Sequence, residues 1–356
     1  MHRATRVSRL TGLLASVLLL TATAVACGSS DSDAGSSSSG STGSSASAGA
    51  YPVTIAHKYG STTIESEPKR IVTVGLTDQD AVLALGKVPV GTTEWVGGYK
   101  GAIGPWARDE LFGAAAPTVL KDTGTGPQVE KIAALRPDLI LAVYSGLTKA
   151  QYESLSKFAP VVAQPKQYND YGVPWQRQTE EIGQALGKAD EARTLVSGVE
   201  AKFAAAKQAN PAFARATAVM ATPYEGVFVY GSEDPRSRLL SGLGFSLPKD
   251  LDKAIGDQFG ANISKERYDL LDQDVAVWIV PDTTSAVTKL HGDAIYGDLN
   301  VVKQGREVFV KETGDYGNAV SLSTVLSIPY VLDRLVPQLA AAVDGKPATK
   351  VGQPAS

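Results

Sequence analysis

The sequence predicts an α/β protein of two lobes joined by one long helix. Three observations carry this. Residues Ala189–Ala209, ADEARTLVSGVEAKFAAAKQA, set apolar side chains at helical spacing: Ala189, Ala192, Val196, Val199, Phe203 and Ala206. Short strand-like apolar runs alternate with helix-like runs on both sides of that stretch. Segments 127–141 and 263–280 repeat one plan: a helix carrying an acid, an acid-containing turn, then an apolar strand. Asp190 and Glu191 open the long helix, where acids suit the positive end of the helix dipole. Asn210-Pro211 stops it. The helix reads as a rigid strut, although periodicity alone also admits an ordinary helix within one domain.

Length and composition set the bounds. A chain of 356 residues suffices for one large domain or two medium ones. A hydrophobic fraction of 43% suits a globular protein. The formal net charge of -3, with no basic tract, argues against nucleic acid as a partner.

Residues 1–26 have the form of a targeting segment. Arg3, Arg6 and Arg9 precede an apolar stretch at 10–22 that is short for a membrane span. Ala24-Val25-Ala26 then leads to Cys27, the only Cys in the chain. This run resembles a bacterial lipobox, with Ala24 where Leu is usual. The resemblance implies cleavage before Cys27, a diacylated thiol and an N-acyl chain such as palmitate, which together anchor far better than one chain. Cleavage after an A-x-A pattern, leaving Cys27 a free thiol, is the alternative. With only one Cys, disulfides within the chain are excluded. Residues 27–50, dominated by Gly, Ser and Ala, form a flexible tether. The folded part is thereby expected at the outer face of a cell membrane.

The first lobe is expected over 51–187. Residues 51–64 alternate as a β-hairpin. IVTVG from Ile71 is a buried strand, 78–85 a helix ending at Gly86, and 88–91 the next strand. The Gly-rich loop 92–112 carries Trp95, Tyr99 and Trp106. Aromatics without a periodic core pattern suit a ligand surface, or equally a plug on the lobe's edge. In 127–141 a helix with Glu130 is followed by a strand. That strand ends at Tyr144, and strand C-termini in open α/β sheets face the ligand crevice. A helix at 149–158 and a strand at 160–163 follow. A loop with Tyr168, Tyr171 and Trp175 then leads to a helix at 176–186, and Gly187 separates that helix from the strut.

The strut takes 188–210 and the second lobe 211–346. Strands at 216–221 and 227–230 flank a turn carrying Tyr224. GSEDPRSRLL then opens a helix that stops at Gly244. Arg236 and Arg238, beside Tyr230, offer fixed donors and charge to an anionic, oxygen-rich ligand, unless they pair with surface acids. Ser264 is positioned to cap a helix carrying Glu266 that runs to Leu271, ahead of the strand VAVWIV. A short helix at 294–299 and an edge strand at 308–310 follow. Asp315, Tyr316 and Asn318 lie in a loop that rims the cleft, a helix spans 327–343, and 347–356 is a disordered tail.

PQVEKIAALRPDLIL resembles the first-lobe signature of periplasmic binding proteins for ferric siderophores and cobalamin, and the run from Ser264 resembles its second-lobe counterpart. TTEWVGGYKGAIGPWA, VYSGLT, YGVPWQ and GSEDPRSRLLSGLGF look like the actinobacterial iron–siderophore lipoproteins of that family. The resemblance covers 51–343. It implies a class III fold: two Rossmann-like sandwich lobes, a single bridging helix and a shallow cleft between them. It implies a monomeric solute-binding component of an ABC importer, with Glu130 and Glu266 facing the permease. The ligand is then a ferric siderophore that holds its own iron, with no cofactor and no metal ligand from the protein. Candidate ligand contacts are Trp95, Tyr99, Trp106, Tyr144, Trp175, Tyr224, Tyr230, Arg236 and Arg238. The alternatives are a haem or cobalamin carrier of the same fold, or a surface lipoprotein without transport function. Beyond His2 the chain has only His57 and His291, which disfavours a His-ligated haem or a zinc site. No G-x-S-x-G, P-loop or H-E-x-x-H motif points to an enzyme.

Overall fold

Strands β1 (Val53–His57) and β2 (Gly60–Ile64) pair as the antiparallel hairpin expected at 51–64. The computed structural model describes residues 50–121 and 126–354, so the targeting segment, Cys27, nearly all of the tether and residues 355–356 lie outside the described residues. Alternation turns Ile55, His57, Thr62 and Ile64 to the buried face of the hairpin.

Two five-stranded sheets follow. The first contains β3 (Ile71–Thr73), β4 (Gly91–Glu94), β5 (Thr118–Lys121), β6 (Leu139–Ala142) and β7 (Val161–Ala163). Its order is β5-β4-β3-β6-β7 and every pairing is parallel. The second contains β8 (Ala218–Thr222), β9 (Val227–Tyr230), β10 (Gly260–Ile263), β11 (Val275–Val280) and β12 (Glu307–Lys311). Its order, β10-β9-β8-β11-β12, repeats that of the first sheet strand for strand. The internal repeat glimpsed at Glu130 and Glu266 is therefore a repeat of topology. One strand breaks it: β9 runs antiparallel to both neighbours. The link Pro223-Tyr224-Glu225-Gly226 is too short for the crossover that a parallel strand requires. It turns back as a hairpin, with Glu225 at φ 48° and Gly226 at φ 119°.

In chain order the helices are α1 (Asp78–Ala84), α2 (Val129–Ala134), α3 (Lys149–Leu155), α4 (Trp175–Ala185), α5 (Ala189–Ala209), α6 (Pro235–Gly242), α7 (Leu251–Ile255), α8 (Thr283–His291), α9 (Ala294–Gly297), α10 (Asn300–Lys303), α11 (Asp315–Leu322) and α12 (Ser327–Ala342). Helix α5 has the predicted bounds and follows the first sheet and precedes the second in the chain. It buries Ala192, Val196, Val199 and Phe203, the centre of the predicted stripe. Gly183 lets α4 approach it closely: a Cβ there would stand 2.3 Å from that of Ala192. One continuous core runs from the hairpin through α4 and α5 to α12 and one face of each sheet, with Leu139, Leu141, Met220 and Val277 among its members. The opposite sheet faces pack separate clusters around Ile140 and Trp278. Burial on both faces explains why these strands read as unbroken apolar runs.

Several expectations shift. The strand expected at 88–91 begins at Gly91, and Thr92, Thr93 and Glu94 belong to it rather than to the aromatic loop. Its buried threonines satisfy their hydroxyls on backbone carbonyls, Thr92 on Gly101 (2.6 Å) and Thr93 on Thr73 (3.2 Å). The Ser264 cap does not form. Lys265–Leu270 is a 3-10 turn kinked at Arg267, and the Ser264 side chain makes no capping bond. Asp315, Tyr316 and Asn318 lie in α11, not in a loop. The expected disordered tail is docked as far as Pro354: Gln338 donates to the Gly352 carbonyl and Gln353 to that of Phe309, both at 2.9 Å.

Candidate ligand pocket

The pocket starts from a buried acid. Asp78, at the start of α1, accepts from the amides of Val143 (2.8 Å) and Tyr144 (3.0 Å) and from Gln178 Nε2 (2.7 Å). Burial raises its pKa, and those three donors oppose the rise. Gly75 makes the room: a Cβ there would lie 2.1 Å from the Asp78 carboxylate. The loop after β6 is thereby fixed. Tyr144 is held buried, with its ring edge-on to Tyr171 at 5.9 Å. Burial, with a smaller contribution from the Asp234 charge, raises the Tyr144 phenol pKa.

The opposite wall comes from the start of α6. Asp234 is its N-cap and accepts from the Arg236 amide (2.8 Å), with Pro235 in the first turn. The same carboxylate grips Arg236 through Nε and Nη2, both at 2.7 Å. Arg236 is only 8% exposed. Its guanidinium lies 3.9 Å from the Tyr230 ring centre and 5.9 Å from that of Trp95. Burial lowers its pKa, but Asp234 outweighs this and the net shift is upward.

Between these walls is a cavity of about 350 Å³, lined by Leu76, Glu94, Trp95, Tyr144, Tyr171, Asp234, Arg236 and Phe259. Of the predicted contacts, Trp95, Tyr144 and Arg236 line it, and Tyr230 backs Arg236. Trp106 and Tyr99 turn elsewhere. The Trp106 indole donates to Asp80 (2.8 Å), which also accepts from Thr324. Tyr99 donates to Asp315 (2.8 Å) and accepts from Asn318 (2.9 Å). These two aromatics therefore tie the first half's loop to α11 and to the α11–α12 link. Trp175 is buried in the core at the start of α4. Arg238 donates to the Gly172 carbonyl at 2.7 Å and is not on the pocket wall. Tyr224, in the β8–β9 hairpin, is 61% exposed and also off the wall. Trp106 and Tyr99 each have a polar tip, and each is turned to a polar partner inside the protein.

The sequence reading missed Leu76, Glu94, Tyr171, Asp234 and Phe259 as pocket residues. Two of them carried a signal: Asp234 in the Asp-Pro start of a helix beside an Arg, and Tyr171 in the aromatic loop with Tyr168 and Trp175. His57 bonds Thr62 (3.0 Å) and His291 bonds Glu307 (2.8 Å), both away from the pocket wall. Among the described residues, no group of three or more His, Cys, Asp or Glu is arranged to hold a metal ion. Glu130, in the first turn of α2, and Glu266, in the 3-10 turn, are both exposed.

Known proteins share this architecture. YhfQ of Bacillus subtilis (strain 168), a putative ABC transporter substrate-binding lipoprotein, is 27% identical over 267 residues, covering 72% of this chain and 80% of its own. YfiY of the same organism, a probable siderophore-binding lipoprotein, is 28% identical and covers 71% and 78%. A periplasmic solute binding protein from Mycobacterium smegmatis is 34% identical, with a TM-score of 0.71 over 82% of this chain and 98% of that one. PiaA of Streptococcus pneumoniae TIGR4, solved in complex with ferrichrome, is 27% identical with a TM-score of 0.73, covering 82% and 99%. The family model described as periplasmic binding protein matches residues 71–312, from the first residue of β3 to just past β12. With both sheets and α5 inside that match, the chain belongs to the periplasmic binding protein family.

Proposed function

We propose that this chain is the extracytoplasmic solute-binding component of an ABC importer, and that it takes a ferric siderophore into the pocket between Trp95 and Arg236. The observation that carries this is the pocket wall: the aromatic side chains of Trp95, Tyr144, Tyr171 and Phe259 line one cavity together with the buried Arg236. Such a surface suits a bulky ligand with apolar faces and an oxygen-rich centre. The iron travels inside the chelate, so the protein supplies no metal ligand. The names of relatives support the reading, since YfiY is called siderophore-binding and PiaA was solved with ferrichrome.

The remaining roles belong to the same reading. Residues 51–187 and 211–346 act as the two lobes and α5 as the strut between them. Bonds from Tyr99 to Asp315, Arg238 to Gly172 and Asn169 to Glu233 keep their relative motion small. Glu130 and Glu266 contact the permease, and acylated Cys27 holds a monomer on the outer face of the membrane. Replacing Cys27 with Ala moves the protein from the detergent phase to the aqueous phase on partition, and retention in detergent rejects the anchor.

The test of binding is a titration of the full chain in non-ionic detergent, read by tryptophan emission. Ferric siderophores quench it because Trp95 lines the pocket. If hydroxamate, catecholate and carboxylate chelates all leave both the emission and the thermal midpoint unchanged, the reading is wrong. A response to haem or cobalamin alone transfers the pocket to that ligand.

A further inference from the structure

We propose that this pocket selects ferric chelates without net negative charge, the trihydroxamate class, and discriminates against tricatecholates and polycarboxylates. The inference rests on the siderophore reading of the same pocket and deepens it.

The argument is one of charge balance. Among the described residues, Arg236 is the only cationic one on the wall. Both Nε and Nη2 of its guanidinium are held by the Asp234 carboxylate, so its charge is cancelled inside the protein. A second acid, Glu94, stands on the wall with its side chain 21% exposed. Lys121 is 3.9 Å from it, but that side chain is 72% exposed and its charge is well screened. The next cation along α6, Arg238, is engaged with the Gly172 carbonyl and lies in the field of Glu233 and Asp234. Glu312 adds a further acid in the field of Tyr230. The groups around the cavity thus sum to neutrality or a slight excess of acid.

Ligand chemistry supplies the other half. Three singly charged hydroxamates cancel the charge of a ferric ion. Three doubly charged catecholates leave the chelate strongly anionic, and citrate-type donors also leave it negative. An anionic chelate in this site meets Glu94 and Asp234 as like charges, with no unpaired cation among the described residues of the wall to offset them. Like-charge juxtaposition of this kind is how a site rejects a ligand of the right size. A neutral chelate pays no such penalty and still meets the aromatic surface of Trp95, Tyr144 and Phe259.

The test compares four ferric chelates on the full chain in non-ionic detergent at low salt: the neutral trihydroxamate ferrichrome, a second trihydroxamate that carries a pendant ammonium, ferric enterobactin and ferric dicitrate. Both trihydroxamates are expected to bind at least about tenfold tighter than the two anionic chelates. Glu94→Gln and, separately, Asp234→Asn each narrow that gap by about tenfold by improving the anionic chelates. Asp234→Asn keeps a capping side chain, and Glu94→Gln tests the idea independently if the first variant folds poorly. Ferric enterobactin or ferric dicitrate binding as tightly as ferrichrome overturns the class assignment and leaves the siderophore reading standing. Binding of none of the chelates overturns both. A gap unchanged in both variants overturns the electrostatic origin of the selectivity.

Discussion

Asp78 shows how one side chain decides where another stands. Its carboxylate takes the amides of Val143 and Tyr144, and that fixes the Tyr144 ring on the pocket wall. The arrangement depends on Gly75, where any Cβ overlaps the carboxylate. Gly75→Ala forces Asp78 off both amides and leaves buried donors unpaired, a loss of about 3 kcal/mol. Urea unfolding reads it as a lower midpoint with an unchanged slope, and an unmoved midpoint means that Asp78 is not needed to hold the loop. Legibility at this scale was uneven for a physical reason. Tyr144 was readable because it follows the C-terminal end of an apolar strand, β6, of a parallel sheet. Arg236 was readable as a residue type, and pairing with a surface acid stood as the alternative; the acid that holds it is its buried neighbour Asp234. Trp106 and Tyr99 looked like ligand contacts because a Gly-rich loop gives no core pattern. Their destinations, Asp80 and the α11 residues Asp315 and Asn318, are set by tertiary contacts that no local pattern encodes.

Elements were legible where their periodicity was strong. Helix α5 matches its expected bounds because a long apolar stripe and the Asn210-Pro211 stop agree. The edge strands β5 and β10 went unread, being four residues each with little apolar signal. The reversal of β9 was implicit in its short link to β8. The topological repeat gives the acid-bearing elements matched places: α2 precedes β6, and the 3-10 turn Lys265–Leu270 precedes β11, the equivalent strand of the second sheet. Both Glu130 and Glu266 are exposed there and neither lines the pocket. Replacing both with Ala therefore leaves siderophore affinity within about twofold of the parent, since surface substitutions away from a site perturb it little, and abolishes iron uptake in cells. Uptake at the parental rate rejects the docking role, and weakened binding moves these acids into the ligand site.

At the scale of the whole molecule, buried acids tie distant parts of the chain together and make its stability depend on pH. Asp80 on α1 accepts from Trp106 of the 3-10 turn Pro105–Ala107 and from Thr324 between α11 and α12. Burial pushes its pKa up to about 6, against the opposing effect of those two bonds. Glu181 on α4 is pushed up to about 7, again by burial and against the pull of Arg177. Both folded values lie above those of the unfolded chain, so the folded state holds more protons between them. Their stabilising contribution is complete below about pH 4 and is lost as pH rises through about 6 for Asp80 and about 7 for Glu181. The slope is worth roughly 3 kcal/mol for each group at most. The exposed acids whose pKa values are lowered, among them Glu67 and Asp293, contribute with the opposite sign, but only below their ordinary values. Between about pH 4 and pH 7 these two acids lower the thermal midpoint as pH rises, and His57, whose pKa burial lowers, acts in the opposite direction below its ordinary value. Asp80→Asn separates the causes. The amide keeps an oxygen for Trp106 and Thr324 but cannot ionise, so it removes the part of the slope between about pH 4 and pH 6 and leaves the part owed to Glu181, which continues to about pH 7. A variant with the parental slope between about pH 4 and pH 6 shows that Asp80 is already ionised in the folded protein.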